Sequence, residues 1–108
     1  MGERLHKVNE QIKKEVGAYL QEHLSPHEGL VTITVVEVAP DLRHAKIWFG
    51  YTGTDLGSVL SELRNITRDV QRDLNSKLTM KFVPKISFTV DKSGDYAQKI
   101  SKIIDESL

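Results

Sequence analysis

Between residues 3 and 24, Leu5, Val8, Ile12, Val16, Tyr19, Leu20 and Leu24 recur three or four positions apart. That spacing places apolar side chains on one stripe of an α-helix and predicts that the stripe faces a core. Arg4, Lys7, Gln11 and Lys14 fall together on a different face. Ser25, Pro26 and then Gly29 end the pattern, because proline lacks an amide proton and disfavours helical geometry in the residue before it. Two strand-like runs follow. Leu30 to Val38 is rich in Val, Ile and Thr, and Arg43 to Tyr51 alternates, with Ala45, Ile47, Phe49 and Tyr51 on one side and His44, Lys46 and Trp48 on the other. Ala39, Pro40, Asp41 and Leu42 join them, and Pro-Asp there predicts the turn of an antiparallel hairpin.

After Gly50, Gly53 and Gly57, with Thr54 and Asp55 as a cap, helical spacing resumes at Leu56, Val59, Leu60, Leu63, Ile66, Val70, Leu74 and Leu78. This predicts the longest helix of the chain. Residues 85 to 91 then alternate, with Ile86, Phe88 and Val90 facing in and Pro84 fitting the start of a strand. Tyr96, Ile100, Ile103 and Ile104 predict a last helix beginning near Ser93 and Asp95. The order is helix, strand, strand, long helix, strand, helix. Three strands need one face covered to form a core, so the pattern predicts an α+β domain with amphipathic helices packed on one face of a three-stranded sheet. Pattern alone leaves the strand order open.

At 108 residues the chain is read as a single domain, 1–108. It has no cysteine, which excludes disulfides and thiolate chemistry, and it has no apolar run long enough for a membrane span. With no signal-peptide pattern at the start either, a cytoplasmic protein without a membrane partner is expected. Fifteen basic residues balance fifteen acidic ones, which at first speaks against nucleic acid. Their distribution reverses that impression. Residues 15 to 42 hold Glu15, Glu22, Glu28, Glu37 and Asp41 with no Lys or Arg, whereas residues 64 to 92 hold seven bases against Asp69, Asp73 and Asp91. A neutral chain can carry a basic face, and it is the local field that a polyanion meets.

Arg64, Arg68 and Arg72, four residues apart, form a row on one flank of the long helix, with Glu62, Asp69 and Asp73 on the opposite flank. Lys77, Lys81 and Lys85 continue the basic character past the helix end. By spacing alone such a row is ordinarily a solvated flank, partly neutralised by Arg72–Asp69 and Arg68–Asp73 pairs. Arg43, His44 and Lys46 follow the hairpin turn and read as polar residues of an open sheet face. Trp48 beside them is either a packing residue, the preferred reading, or a platform on which a base stacks. Arg4, Lys7 and Lys14 are a weaker basic group, with Glu3, Glu10 and Glu15 close by. His6, His23, His27 and His44 do not form a metal site by spacing, since His23 and His27 straddle Pro26. No nucleophile–base pair stands out, and no cofactor is expected.

Three segments together resemble the bacterial ribosome-binding factor A family across essentially the whole chain. They are Glu3-Arg4-Leu5-His6-Lys7-Val8-Asn9-Glu10 with Gln11-Ile12-Lys13-Lys14-Glu15, then Val38-Ala39-Pro40-Asp41-Leu42-Arg43-His44-Ala45-Lys46, and Val83-Pro84-Lys85-Ile86-Ser87-Phe88 followed by Asp91 and Tyr96. The resemblance implies a KH-like fold of the helix-first type (type II). It also implies a non-enzymatic factor that binds 16S rRNA in the free 30S subunit late in its assembly, assists maturation of the 5′ region, matters most in the cold, and is released with help from an assembly GTPase. A monomer is expected. The resemblance favours RNA contact for the arginine row and the residues grouped with it above. The alternative is a protein-interaction module using the acidic stretch from Glu15 to Asp41. One departure is visible. Typical KH domains carry Gly-x-x-Gly between two helices, and this family usually has Ala-x-Gly at an interruption there, but this chain has Ile66-Thr67-Arg68 and no glycine from Ser58 to Ser93. A continuous helix is therefore expected, with any kink near Asn65 to Thr67.

Overall fold

The structure is a computed structural model and describes residues 2–26 and 28–91. Helix α1 spans Gly2–His23, strand β1 Val31–Val38, strand β2 His44–Tyr51, helix α2 Leu56–Lys77 and strand β3 Lys85–Val90. The expected last helix, including Tyr96, Ile100, Ile103 and Ile104, lies outside the described residues.

The strands form one sheet in the order β1-β2-β3. β1 and β2 are antiparallel, joined through Ala39-Pro40-Asp41-Leu42, and β2 and β3 are parallel, joined by the crossover through α2. At the hairpin the Leu42 N–H donates to the Ala39 carbonyl at 2.8 Å and the Arg43 N–H to Asp41 Oδ1 at 2.9 Å, as the Pro-Asp reading anticipates. Leu42 takes a positive φ of 61°, the step that re-enters the strand after such a turn.

Helices α1 and α2 cover the same sheet face. Their buried stripes, Val8, Ile12, Val16 and Leu20 from α1 and Val59, Leu63, Val70 and Leu74 from α2, meet Val36, Val38, Ala45, Ile47, Phe49, Tyr51 and Ile86 from the sheet. β1 departs from plain alternation. A register shift between Ile33 and Val35 inserts one residue, so Val31 and Ile33 before it and Val36 and Val38 after it all face the helices, while Val35 is left 50% exposed on the other face.

Each outer edge of the sheet is tied to the helix above it by one amide side chain. Asn9 Oδ1 of α1 accepts the Val38 N–H of β1 at 3.1 Å. On the other edge Gln71 of α2 accepts the Ile86 N–H of β3 at 2.9 Å through Oε1 and donates from Nε2 to the Pro84 carbonyl at 3.0 Å. These side chains satisfy part-buried backbone groups that no fourth strand reaches among the described residues.

Candidate nucleic-acid interface

Helix α2 begins at a built cap: Asp55 Oδ1 accepts the Ser58 N–H at 3.2 Å, and the Ser58 hydroxyl donates to Oδ2 at 2.7 Å. From there the helix runs without interruption through Ile66-Thr67-Arg68 to Lys77. The continuous helix expected from the missing glycines is what forms. Thr67, at the centre of the expected weak point, donates its hydroxyl to the Leu63 carbonyl at 2.6 Å, a bond made within the helix that leaves the main-chain ladder intact.

The two flanks of α2 face different neighbours. Arg64, Arg68 and Arg72, with Thr67, Gln71 and Asn75, look over the start of β3 and line a groove of about 740 Å³ whose far wall is Val83, Lys85 and Ile86. The acids lie toward α1. Asp69 and Asp73 help hold the Tyr19 hydroxyl of α1 above the usual tyrosine range, after desolvation as the first cause and against the lowering effect of Arg72. The charge segregation read from spacing is therefore present: the arginines take the β3 side and the carboxylates the α1 side.

The pairings read for the row are realised only in part. Arg72 lies 3.6 Å from Asp69, with both side chains more than half exposed, so the pair is weak. Among the described residues no carboxylate comes within 4.0 Å of Arg64 or Arg68, and the expected Arg68–Asp73 pair does not form. Asp73 instead binds Lys77 at 3.2 Å, and Glu15 of α1 approaches the same ammonium at 3.7 Å. Lys77 is thus drawn to the acidic seam between the helices and away from the arginine groove. Its pKa is raised, chiefly by the hydrogen bond and charge of Asp73 and then by Glu15.

The remaining candidates divide by position. Lys85 stands on the groove wall opposite the arginines. Lys81 lies in the loop before β3 with its ammonium 5.7 Å from the ring centre of Phe82. Phe82 itself is 76% exposed beside Val83 of the groove wall, an aromatic candidate that alternation did not flag because it falls between elements. Its signal in sequence was only the pairing of an aromatic with a neighbouring lysine. His44 and Lys46 project from the open sheet face, and exposed Arg43 adjoins them at the turn. Lys14 lines a separate hollow between α1 and the β1 edge, at the opposite edge of the sheet from the arginine row, and Arg4 and Lys7 are exposed on the first turns of α1. Trp48 is not in the core. It is partly buried on the face away from the helices, the side on which alternation places it with His44 and Lys46.

Among the described residues no group of three or more His, Asp or Glu side chains is placed to hold a metal ion, and no helix is long and apolar enough to cross a membrane.

A three-stranded mixed sheet with both described helices on one face, and a basic groove between the second helix and the third strand, is the architecture of an α+β, KH-like domain. Over residues 4–104 the sequence matches the pattern of the ribosome-binding factor A family, and the chain belongs to that family. A ribosome-binding factor A from Citrifermentans bemidjiense is 38% identical over 109 residues, covering 98% of this chain and 92% of that one. The crystal structure of ribosome-binding factor A from Thermus thermophilus superposes with a TM-score of 0.70 at 19% identity, over 80% of this chain and 93% of that one. A Thermus thermophilus homology model fitted into a cryo-electron-microscopy map of a 30S complex superposes with a TM-score of 0.66 at 19% identity, over 77% and 90% of the two chains.

Proposed function

We propose that this protein is a ribosome-assembly factor that binds the small subunit by laying RNA into the groove between α2 and β3. The observation that carries the proposal is the groove itself: Arg64 and Arg68, without carboxylate partners among the described residues, face Lys85 across a concave floor, while the acids of α2 are turned to α1. Guanidinium groups in such a row offer forked donors to phosphate oxygens, which position the protein, and shape complementarity with folded RNA supplies the selectivity. Where other KH domains use glycines to bring main chain against the nucleic-acid backbone, Arg68 makes the approach here with a long cationic side chain. Phe82 and Lys81 at the groove end offer a ring for stacking and a charge beside it.

Family membership and the 30S complex of the Thermus relative support 16S rRNA of the 30S subunit as the target. The finer assignments are part of the same proposal: action as a cytoplasmic monomer on free subunits late in maturation, assistance to the 5′ region of the RNA, a larger role in the cold, and release aided by an assembly GTPase. The activity is binding, with no chemical step assigned to any side chain.

The test is cosedimentation of the Arg64→Ala/Arg68→Ala/Arg72→Ala variant with small subunits across a salt series. Folding is expected to be kept, binding weakened, and the slope of log affinity against log salt flattened by up to about three phosphate contacts. An unchanged slope would remove the groove assignment. Binding that survives nuclease digestion of the RNA would instead favour the acidic Glu15-to-Asp41 stretch as a protein-docking segment.

A further inference from the structure

The sheet face away from the helices has a composition that the groove does not account for. In register across the strands, His44 stands beside Lys85, Lys46 between Glu37 and Ser87, and Trp48 between Val35 and Thr89. On β2 and β3 this face carries two lysines, a histidine, two hydroxyls and the indole, and no acid. Two acids share the face: Glu37 on β1 lies beside Lys46, and Asp91, just past β3, takes a 2.7 Å bond from the Thr34 hydroxyl, and both line the hollow that contains Trp48. The Lys46 ammonium lies 5.3 Å from the Trp48 ring centre. A shallow hollow of about 540 Å³ here is lined in part by Glu37, His44, Lys46, Lys85, Ile86 and Ser87, and Lys85 and Ile86 also form the wall of the arginine groove. The two basic concavities therefore meet over the β3 edge.

We propose that this open face is a second binding surface for single-stranded RNA, with Trp48 as the platform for one base and His44, Lys46 and Lys85 as the phosphate contacts that lead to it. The inference rests on the RNA reading of the groove for the source of the strand, which would leave the groove past Lys85 and cross onto the sheet. In the hollow that adjoins the groove Lys46 and Lys85 outnumber Glu37, and charge complementarity at that end selects a polyanion as the occupant. The indole, with the half-exposed Val35 beside it, selects one that carries flat apolar rings. A stacked base takes the place over the ring now held by the Lys46 ammonium, which is released to a neighbouring phosphate.

Trp48 is the single tryptophan of the chain, so its emission reports directly on this face. The experiment titrates the full chain with a twelve-nucleotide oligouridylate and follows both tryptophan emission and the anisotropy of a label on the RNA. Saturating oligonucleotide is expected to quench Trp48, and Trp48→Ala to bind it roughly five- to a hundredfold more weakly. Lys46→Glu keeps the indole, reverses the adjacent charge, and is expected to weaken binding as well, which covers the case in which Trp48→Ala fails to fold. Quenching and loss in these variants, with Arg64→Ala/Arg68→Ala binding like the parent, would uphold the face and reject the groove. Oligonucleotide binding with unchanged emission and a parent-like Lys46→Glu variant would overturn the face and leave the groove standing. No binding of the oligonucleotide by the parent chain would overturn the face and leave the groove, whose target is folded RNA, to the cosedimentation test. Small-subunit association that depends on Lys46 but survives nuclease treatment would assign the face to a protein and overturn the proposal.

Discussion

Gln71 is the side chain on which the groove and the fold depend together, and its replacement by methionine isolates what it does. Methionine keeps the length and apolar stem and removes both polar atoms. Two part-buried bonds are lost, to the Ile86 N–H at 2.9 Å and to the Pro84 carbonyl at 3.0 Å, and both main-chain groups lie at the start of the β3 edge with no strand beyond them among the described residues. The exposed bond from Gln71 to Asn75 at 3.3 Å contributes little. At about 0.5–1.5 kcal/mol net for each bond, the variant should be destabilised by about 1–3 kcal/mol. Urea unfolding followed by Trp48 emission should show a midpoint lowered by roughly 1 M with an unchanged slope, given a slope of about 1–3 kcal/mol/M for a domain of this size. Amide exchange at Ile86 should quicken as well. A midpoint within about 0.2 M of the parent would mean that water replaces the amide at no cost, and the account of Gln71 as the clasp on the β3 edge would be wrong.

Other perturbations bear on the same structure. Asn9→Ala removes the single bond to the Val38 N–H and should cost about 1 kcal/mol, with faster amide exchange at Val38 as the specific sign. Tyr51 is buried, and its hydroxyl has no hydrogen-bond partner among the described residues; Tyr51→Phe should therefore leave the melting temperature unchanged or raise it, and a clear fall would reveal a partner for that oxygen. Lys77 has a pKa raised by Asp73 and Glu15, so folding holds its proton more tightly than the unfolded chain does. The contribution of such a cation is complete below its unfolded pKa and is lost as pH rises through its folded one. Lys77→Met should accordingly change stability by the same amount at pH 6 and pH 8, with the difference from the parent shrinking only above the ordinary lysine range.

Much of the candidate site was legible from spacing, because side chains four residues apart on a helix share a flank whatever the helix packs against. That argument placed Arg64, Arg68 and Arg72 together and their acids apart. It could not choose the partners of those charges. Asp73 lies equally within sequence reach of several cations, and the packing of α1 against α2 decided for Lys77 by bringing Glu15 to the same ammonium. Phe82 stands outside the pattern because it belongs to no periodic run, whereas the outward placement of Trp48 with His44 and Lys46 follows from alternation.

The elements themselves, the Pro-Asp hairpin, the inward faces of β2 and both described helices, and the unbroken course of α2 follow from the sequence alone. Each depends on local geometry: the period of the helix or strand, a proline's fixed φ, the absence of glycine. The strand order, the irregularity that puts Val31, Ile33, Val36 and Val38 all against the helices, the two amide clasps on the sheet edges, and the meeting of the arginine groove with the open face at Lys85 belong to the tertiary structure. The clasps join residues 13 to 29 positions apart, and the other features set one element against another. No periodicity encodes such distances, because they are fixed only when separate apolar stripes are buried together.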